Sequence, residues 1–324
     1  MAEDLFAAHA MGGVAHAPTG GEQRANTLVH SIAWGCAFLV IALVLYLVLE
    51  IGGQAMPAID RFGLDFITGT TWDTVDDIYG VLPEIWGTLY SALLALLLGG
   101  TFGVAIAVFI TQGFVNRRIA ATFRVLVELL AAIPSVVFGL WGIYVLIPAL
   151  RPGADWLSEH LGMVPFFGTS LAGPGLAPAA IVLAVMILPT VAAISVDALR
   201  RVPFSIVSGV YAMGTTRAEA IFRVLLPTAS SGILAALVLG FGRAMGETMA
   251  LAMLIGNNNQ ISLSLFAPAN TLAARLASSF PEADRSEAEA LMFAALILLA
   301  VTLLVNVIGL GMQQIAMGKF EGKR

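Results

Sequence analysis

The chain has 324 residues, of which 59% are hydrophobic and only 11% are charged, and its mean hydropathy is +0.91. Soluble domains carry about 25% charged residues, so this composition excludes an ordinary soluble protein and indicates an integral membrane protein. A net charge of −5 without any Lys/Arg-rich block excludes the basic surface that nucleic acid binding requires, and a single cysteine excludes an internal disulfide.

Residues 1–27 are rich in Gly, Ala and His and lack the basic start and the small-residue cleavage site of a secretory signal. We expect this segment to be a disordered cytoplasmic tail before an uncleaved first span. Six apolar segments then approach the length of about 20 residues that a helix needs to cross a membrane. They are residues 28–49, 88–110, 125–150, 176–196, 232–255 and 290–312. The pattern predicts an all-α membrane protein with six transmembrane helices.

Basic residues are distributed unevenly between the two sides of the predicted spans. The termini and alternate loops together hold eleven Lys and Arg residues, whereas the loops on the other side hold four. Because short cytoplasmic loops collect Lys and Arg, we expect both termini to be cytoplasmic. The opposite loops collect acids, which we interpret as a solvent-exposed acidic face. These acids include Asp73, Asp76, Asp77 and Glu84.

This topology predicts the order of the chain's parts. The tail at 1–27 is followed by a first span with an acidic periplasmic segment over 28–87. Five further spans over 88–312 form the core, which contains a cytoplasmic loop at 197–231. Residues 313–324 form a second cytoplasmic tail.

Several kinds of chemistry have no residues to carry them in this chain. The lysines are only Lys319 and Lys323, so the chain has no phosphate-binding loop of the G-x-x-x-x-G-K-[ST] type. Its four histidines form no H-E-x-x-H helix and no Ser/His pair within the spans. We therefore expect no catalytic residues, no metal site and no cofactor, and any ATP must be bound by a separate subunit.

The predicted fifth span contains two charges, Arg243 and Glu247. Arg243 lies about 16 Å into the span, where insertion of an arginine costs about 2.5–3.5 kcal/mol, so it should face the bundle interior or a wet cavity and have a partner, for which Glu247 is the nearest candidate. A guanidinium binds an oxyanion through two parallel hydrogen bonds. Glu247 could neutralise Arg243 in an empty path, or accept a hydrogen bond from a protonated oxyanion such as phosphate, which sulfate could not offer. The alternative is a buried ion pair that locks the fifth span against its neighbours.

Two hydroxyl side chains are candidates for this predicted path, and one further charge lies in a span. Pro134 and Pro189 are each followed by a hydroxyl residue, and proline leaves one helical carbonyl without its usual donor. We expect Ser135 and Thr190 either to line the path beside Arg243 or to satisfy their own helices. Glu128 is placed to pair with the arginine at i−4, and we interpret that contact as structural.

The cytoplasmic loop 197-DALRRVPFSIVSGVYAMGTTRAEAIFRVLLPTASSGI-233 predicts two short helices on either side of Gly214, the second with a Glu219–Arg223 pair. The loop contains Gly214, followed after nine residues by 224-VLLP-227. This spacing resembles the G-x9-I-x-L-P core of the EAA loop of ABC importer permeases. The opening Glu-Ala-Ala of that motif is replaced here by 208-SGV-210. In that family the loop docks into a groove of the ATPase subunit. The resemblance implies that the coupling residues are Tyr211, Ala212, Met213, Gly214, Thr215 and Glu219.

Longer segments resemble the phosphate-uptake permeases of this family. They are 134-PSVVFGLWG-142, 187-ILPTVAAISVDALRRVP-203, 214-GTTRAEAIFRVLLP-227 and 242-GRAMGETMA-250. The segment 79-YGVLPEIWGTLYSALLALLLG-99 is more similar to one of that family's two permease subunits than to the other, PstA. The resemblance covers residues 28–314.

The resemblance implies a MetI-like, type I permease architecture and an importer that passes inorganic phosphate across the bacterial inner membrane by alternating access. It implies a heterodimer with a PstA-like permease subunit, two PstB-like ATPase subunits that bind ATP, and a PstS-like periplasmic phosphate-binding protein. It also places Arg243 and Glu247 at the family's charged positions on the phosphate route.

Two other functions are compatible with the residues alone. The first is a permease for another oxyanion, such as sulfate or molybdate. The second is an ion-coupled secondary carrier, in which the Arg243–Glu247 pair would relay protons. The EAA-like loop and the lack of paired broken helices in two symmetric halves argue against the carrier.

Overall fold

The computed structural model describes residues 20–321. Predictions for residues 1–19 and 322–324 therefore lie outside the described residues. The helices are α1 Gly20–Phe62, α2 Asp65–Thr68, α3 Leu82–Thr111, α4 Arg117–Ala132, α5 Ser135–Leu161, α6 Leu176–Arg200, α7 Phe204–Ala212, α8 Arg217–Thr228, α9 Ser230–Met245, α10 Met249–Leu254, α11 Leu272–Ser279 and α12 Arg285–Glu321. Two short strands, β1 Trp72–Asp73 and β2 Ile78–Tyr79, form an antiparallel hairpin.

Five of these helices are long and apolar enough to cross a membrane: α1, α3, α5, α6 and α12. Helices α8 and α9 form a pair bent by 71°, which brings the number of spans to six if the pair counts as one. The predicted all-α fold with six membrane segments is thereby confirmed. Helix α1 already begins at Gly20, so residues 20–27 are helical rather than disordered.

The third span begins later in the chain than the predicted residue 125. Ile133 is extended, with φ −72° and ψ 128°, and Pro134 follows it. A residue before proline avoids the helical region because of a clash with the proline ring, so the apolar run is divided here. The result is a separate helix α4, which is capped by the Asn116 side chain accepting a hydrogen bond from Ile119 N at 2.9 Å, and a span α5 that starts at Ser135.

The predicted continuous fifth span is also divided. Helix α9 ends at Met245 and α10 begins at Met249, with Gly246, Glu247 and Thr248 between them. In contrast, α6 continues through Pro189 without interruption.

Helix α6 lies at the centre of the core and packs against α3, α4 and α9. Its contact with α9 is close because Gly240 has no side chain: a Cβ there would lie 2.8 Å from Val191 Cγ2. The buried residues around this contact are almost all apolar, among them Leu183, Ile187 and Leu251. The two helices that carry Thr190 and Arg243 are thus held at short range.

The predicted acidic face is only partly solvent-exposed. Asp76 is exposed, but the side chain of Glu84 is fully buried and pairs with Arg275, whose Nη2 lies 2.8 Å from Glu84 Oε1. The interpretation of Glu84 as a solvated acid is therefore wrong, because α11 brings a guanidinium to the first turn of α3.

A hydrogen bond from Ser286 and the charge of Arg61 lower the pKa of Asp77.

Candidate functional site

Arg243 occupies the last turn of α9, immediately before the break in the fifth span. Its side chain is exposed, and its Nη1 donates a hydrogen bond to Thr190 Oγ1 at 3.1 Å. A guanidinium has five N–H donors, and within residues 20–321 this is its one hydrogen bond. Most of the donor fork of Arg243 is therefore free to bind a ligand.

Glu247 does not pair with Arg243 in the described part of the chain. Its Oε1 instead accepts a hydrogen bond from the Ala250 backbone N at 3.3 Å, which caps the start of α10. The expected i,i+4 contact requires a continuous helix, and the helix ends at Met245. Two interpretations of the sequence are therefore wrong for this conformation. Glu247 does not neutralise Arg243, and the two side chains do not form an ion pair that locks the fifth span to its neighbours.

A cavity of about 220 Å³ lies between α4 and α6, next to Thr190. Its polar lining also includes Arg124 and Glu128 from α4 and Asp197 from α6. Arg124 Nε donates to Glu128 Oε1 at 2.8 Å, which confirms the predicted pair. Thr190 thus connects Arg243 to an open space that contains three charged side chains.

Ser135 is the first residue of α5 and is half-buried. It lies one helical turn before Gly139, on the same face, and a Cβ at Gly139 would lie 3.5 Å from Ala250 Cα. This face of α5 therefore packs against the start of α10, where Glu247 is bound. Within the described residues Ser135 makes no hydrogen bond to Arg243 or Glu247, so of the two hydroxyl residues only Thr190 contacts Arg243.

Arg124 and Asp197 were not predicted as residues near the path. A signal for Asp197 was available, because Thr190 and Asp197 are seven residues apart and therefore share one face of a helix. No pattern in the sequence indicates a position near the path for Arg124. The apolar run predicts that its helix belongs to the third span, and the spacing of four residues indicates only a structural pair with Glu128.

The predicted coupling loop has the expected two helices, α7 and α8, with a turn at Gly214 between them. Gly214 has φ +77°, in the left-handed region that favours glycine. Thr216 Oγ1 accepts from Glu219 N at 3.3 Å, and Glu219 Oε2 accepts from Thr216 N at 3.0 Å. This capping box fixes the start of α8. It replaces the predicted Glu219–Arg223 pair, which is absent among the described residues.

The remaining predicted coupling residues surround this turn. Tyr211, Ala212 and Met213 are exposed, and Met213 retains 76% of its accessible surface. Thr215 is half-buried and donates from Oγ1 to the Val210 carbonyl at 2.9 Å. The turn is therefore stiffened from within and presents an apolar side chain to its surroundings.

Comparison with known proteins places the chain in a family. The model of the binding-protein-dependent transport system inner membrane component matches residues 99–317. The phosphate transport system permease protein PstC of Xylella fastidiosa is 36% identical over 277 residues, which are 84% of this chain and 85% of the relative. PstC 2 of Mycobacterium tuberculosis is 36% identical over 309 residues, 93% of this chain and 94% of the relative.

A solved structure of the MetNI methionine ABC transporter in an inward-facing conformation shares the fold. Its TM-score is 0.54 at 18% sequence identity, and the match covers 73% of this chain and 95% of that one. The likeness confirms the MetI-like permease architecture. The chain therefore belongs to the family of binding-protein-dependent transport system inner membrane components, in the group of PstC permeases.

Proposed function

We propose that this chain is the transmembrane permease subunit of an ATP-driven importer that passes inorganic phosphate across the cytoplasmic membrane by alternating access. The observation that carries the proposal is the exposed guanidinium of Arg243, at a break in a membrane span and next to a cavity. A charge at that depth is costly unless it faces a polar path. The names of the PstC relatives identify phosphate as the oxyanion.

The substrate path in this proposal contains Arg243, Glu247, Thr190 and Ser135. Arg243 donates to two oxygens of the anion, and Thr190, which lines the cavity, accepts a hydrogen bond from Arg243 while the path is empty. Glu247 accepts a hydrogen bond from a protonated phosphate oxygen once the loop between α9 and α10 rearranges. This carboxylate favours phosphate over sulfate, because sulfate carries no proton at neutral pH and cannot donate a hydrogen bond to it.

The chain itself is not an enzyme and binds no cofactor in this proposal. A PstA-like permease completes the membrane part, two PstB-like subunits hydrolyse ATP, and a PstS-like periplasmic protein delivers phosphate. The coupling turn, with Tyr211, Ala212, Met213, Gly214, Thr215 and Glu219, contacts the ATPase. The family's description as an inner membrane component supports a bacterial inner-membrane location, and the uneven distribution of Lys and Arg supports both termini lying in the cytoplasm.

Uptake of labelled phosphate into cells that express the whole transport system tests this function. Excess unlabelled phosphate should abolish uptake of the label, whereas sulfate and molybdate at the same concentration should leave it unchanged. Purification of the tagged chain should recover an ATPase subunit in the same complex. Inhibition by sulfate or molybdate would assign another oxyanion, and a chain that transports without any ATPase would be a secondary carrier.

A further inference from the structure

We propose that the cavity between α4 and α6 is a second binding site for the protonated oxyanion, in which Arg124 holds the anion after it leaves Arg243. The inference rests on the proposed function and adds a site to the same path. Thr190 contributes to both places, since it accepts the hydrogen bond of Arg243 and lines the cavity that contains Arg124. One threonine therefore contacts the first guanidinium group and lines the cavity that contains the second.

The open space continues along one face of α6. Thr190, Ala193 and Asp197 line the cavity and are separated by three and four residues, which places them on the same side of a helix. A further cavity of about 510 Å³ also borders Asp197 and extends to Arg201. By the predicted topology, this direction along α6 leads from mid-membrane to the cytoplasm. Asp197 therefore borders two cavities in the half of α6 that follows Thr190, one toward α4 and one toward α9 and α12.

Arg124 is held by a contact that an anion can replace. The side chains of Arg124 and Glu128 are 53% and 59% exposed. Exposed ion pairs contribute little to stability, and an arginine that precedes its glutamate by four residues is in the weaker order for a helix. The pair therefore keeps Arg124 neutralised and positioned in an empty cavity without preventing it from binding substrate.

The side chains in the cavity fit a protonated oxyanion. Arg124 can donate through its planar fork to two anion oxygens. The carboxylates of Glu128 and Asp197 only accept hydrogen bonds, so they can accept from the two P–OH groups of dihydrogen phosphate but repel an anion that has no proton. Dihydrogen phosphate, which is abundant at neutral pH, satisfies all three charged side chains, whereas sulfate satisfies only the arginine.

Helix α4 is also connected to the coupling loop. It lies between the turn that follows α3 and the extended Ile133, so both of its ends are non-helical joints. Arg217, at the start of α8, donates from Nη1 to the Gly113 carbonyl in the first of these joints at 3.4 Å. A displacement of the coupling loop can therefore reach the helix that carries Arg124.

Uptake of labelled inorganic phosphate by the complete transport system in proteoliposomes tests the second site. We expect Arg124→Gln to lower the maximal uptake rate at least tenfold, because the anion loses its charged donor, and Arg124→Lys to retain part of the rate. Arg118→Gln is the matched control, since Arg118 is exposed on the same helix and lies outside the cavity lining. It should transport at the unmodified rate.

The inhibition of uptake by sulfate in Glu128→Gln distinguishes a binding role from a structural one. If the Arg124–Glu128 pair were only structural, its loss would not change the sensitivity to sulfate. Sulfate added on the side of the membrane where ATP is hydrolysed should inhibit phosphate uptake by Glu128→Gln and leave the unmodified protein unaffected. An unchanged rate in Arg124→Gln, an equal loss in Arg118→Gln, or sulfate insensitivity in Glu128→Gln overturns the second site. Each of these results leaves the proposed function intact as long as Arg243→Gln strongly lowers uptake.

Discussion

Arg275 and Arg285 each pair with a glutamate, but only the first pair is shielded from water. The side chains of Arg275 and Glu84 are 13% and 0% exposed, whereas that of Arg285 is 94% exposed in its pair with Glu289. Arg275 also lies over the ring of Trp72, 5.0 Å from its centroid. The buried pair joins α3 to α11, and its loss would leave an uncompensated charge in the protein interior.

We expect Glu84→Gln to destabilise the protein by about 3–5 kcal/mol, because removing one partner of a buried ion pair leaves the other without its counter-charge. The temperature of unfolding in detergent should fall accordingly. Glu289→Gln removes the partner of an exposed i,i+4 pair and should cost about 0.3–0.5 kcal/mol. Equal unfolding temperatures for the two variants would show that the Glu84–Arg275 contact does not stabilise the fold.

The sequence predicted individual residues well where their environment is local and poorly where it is not. The Arg124–Glu128 pair follows from a spacing of four residues. Glu84 was misjudged because its partner Arg275 is 191 positions away, and no local pattern indicates that contact. The position of Thr190 after a mid-span proline left two alternatives, a place beside Arg243 or a bond within its own helix, and the structure joins Thr190 to Arg243 by a hydrogen bond.

At the scale of secondary-structure elements, apolar run length located the spans, but it did not locate their interruptions. The run over 125–150 contains Pro134, which ends one helix and begins another at a position that hydropathy alone does not mark. The run over 232–255 contains no proline, and its break at Gly246 was not predicted. The division there places Glu247 at the start of α10 instead of beside Arg243.

The turn of the coupling loop permits a comparison of two glycines. A Cβ at Gly209 or at Gly214 would meet no other atom within 4 Å, but only Gly214 has a positive φ, +77°. We expect Gly214→Ala to strain the turn by about 1–2 kcal/mol, the cost of a left-handed non-glycine residue, and to reduce ATP-driven uptake. Gly209→Ala lies within a helix and should be tolerated.

The Gly209→Ala and Gly214→Ala variants are compared by measuring phosphate-stimulated ATP hydrolysis and phosphate uptake in the reconstituted transport system. The bulkier Gly214→Trp should uncouple hydrolysis from uptake while capture of phosphate by the external binding protein stays normal. Normal coupling in Gly214→Trp, or equal defects in Gly209→Ala and Gly214→Ala, would contradict a coupling role for this turn.

At the scale of the whole molecule, the proposed function requires a path for the anion and a place where an attached ATPase can move the chain. The candidate path lies between α4, α6 and α9, and the coupling turn between α7 and α8 is joined to α9 through α8. A motion of the turn can therefore reach Arg243 through α9 and Arg124 through the Arg217–Gly113 contact. The architecture thus fits a permease whose conformation is changed by an attached ATPase.

The central claim is that Arg243 binds the transported anion, and the rate of phosphate uptake by Arg243→Gln tests it most directly. Hydrogen bonds to charged groups contribute about 1.5–3 kcal/mol each, so loss of the guanidinium should lower uptake by roughly 10–100-fold, with Arg243→Lys in between. Arg200→Gln, which alters an exposed arginine at the end of α6, should transport normally. An Arg243→Gln protein that reaches the membrane at the normal level and transports phosphate at the unmodified rate would contradict the account.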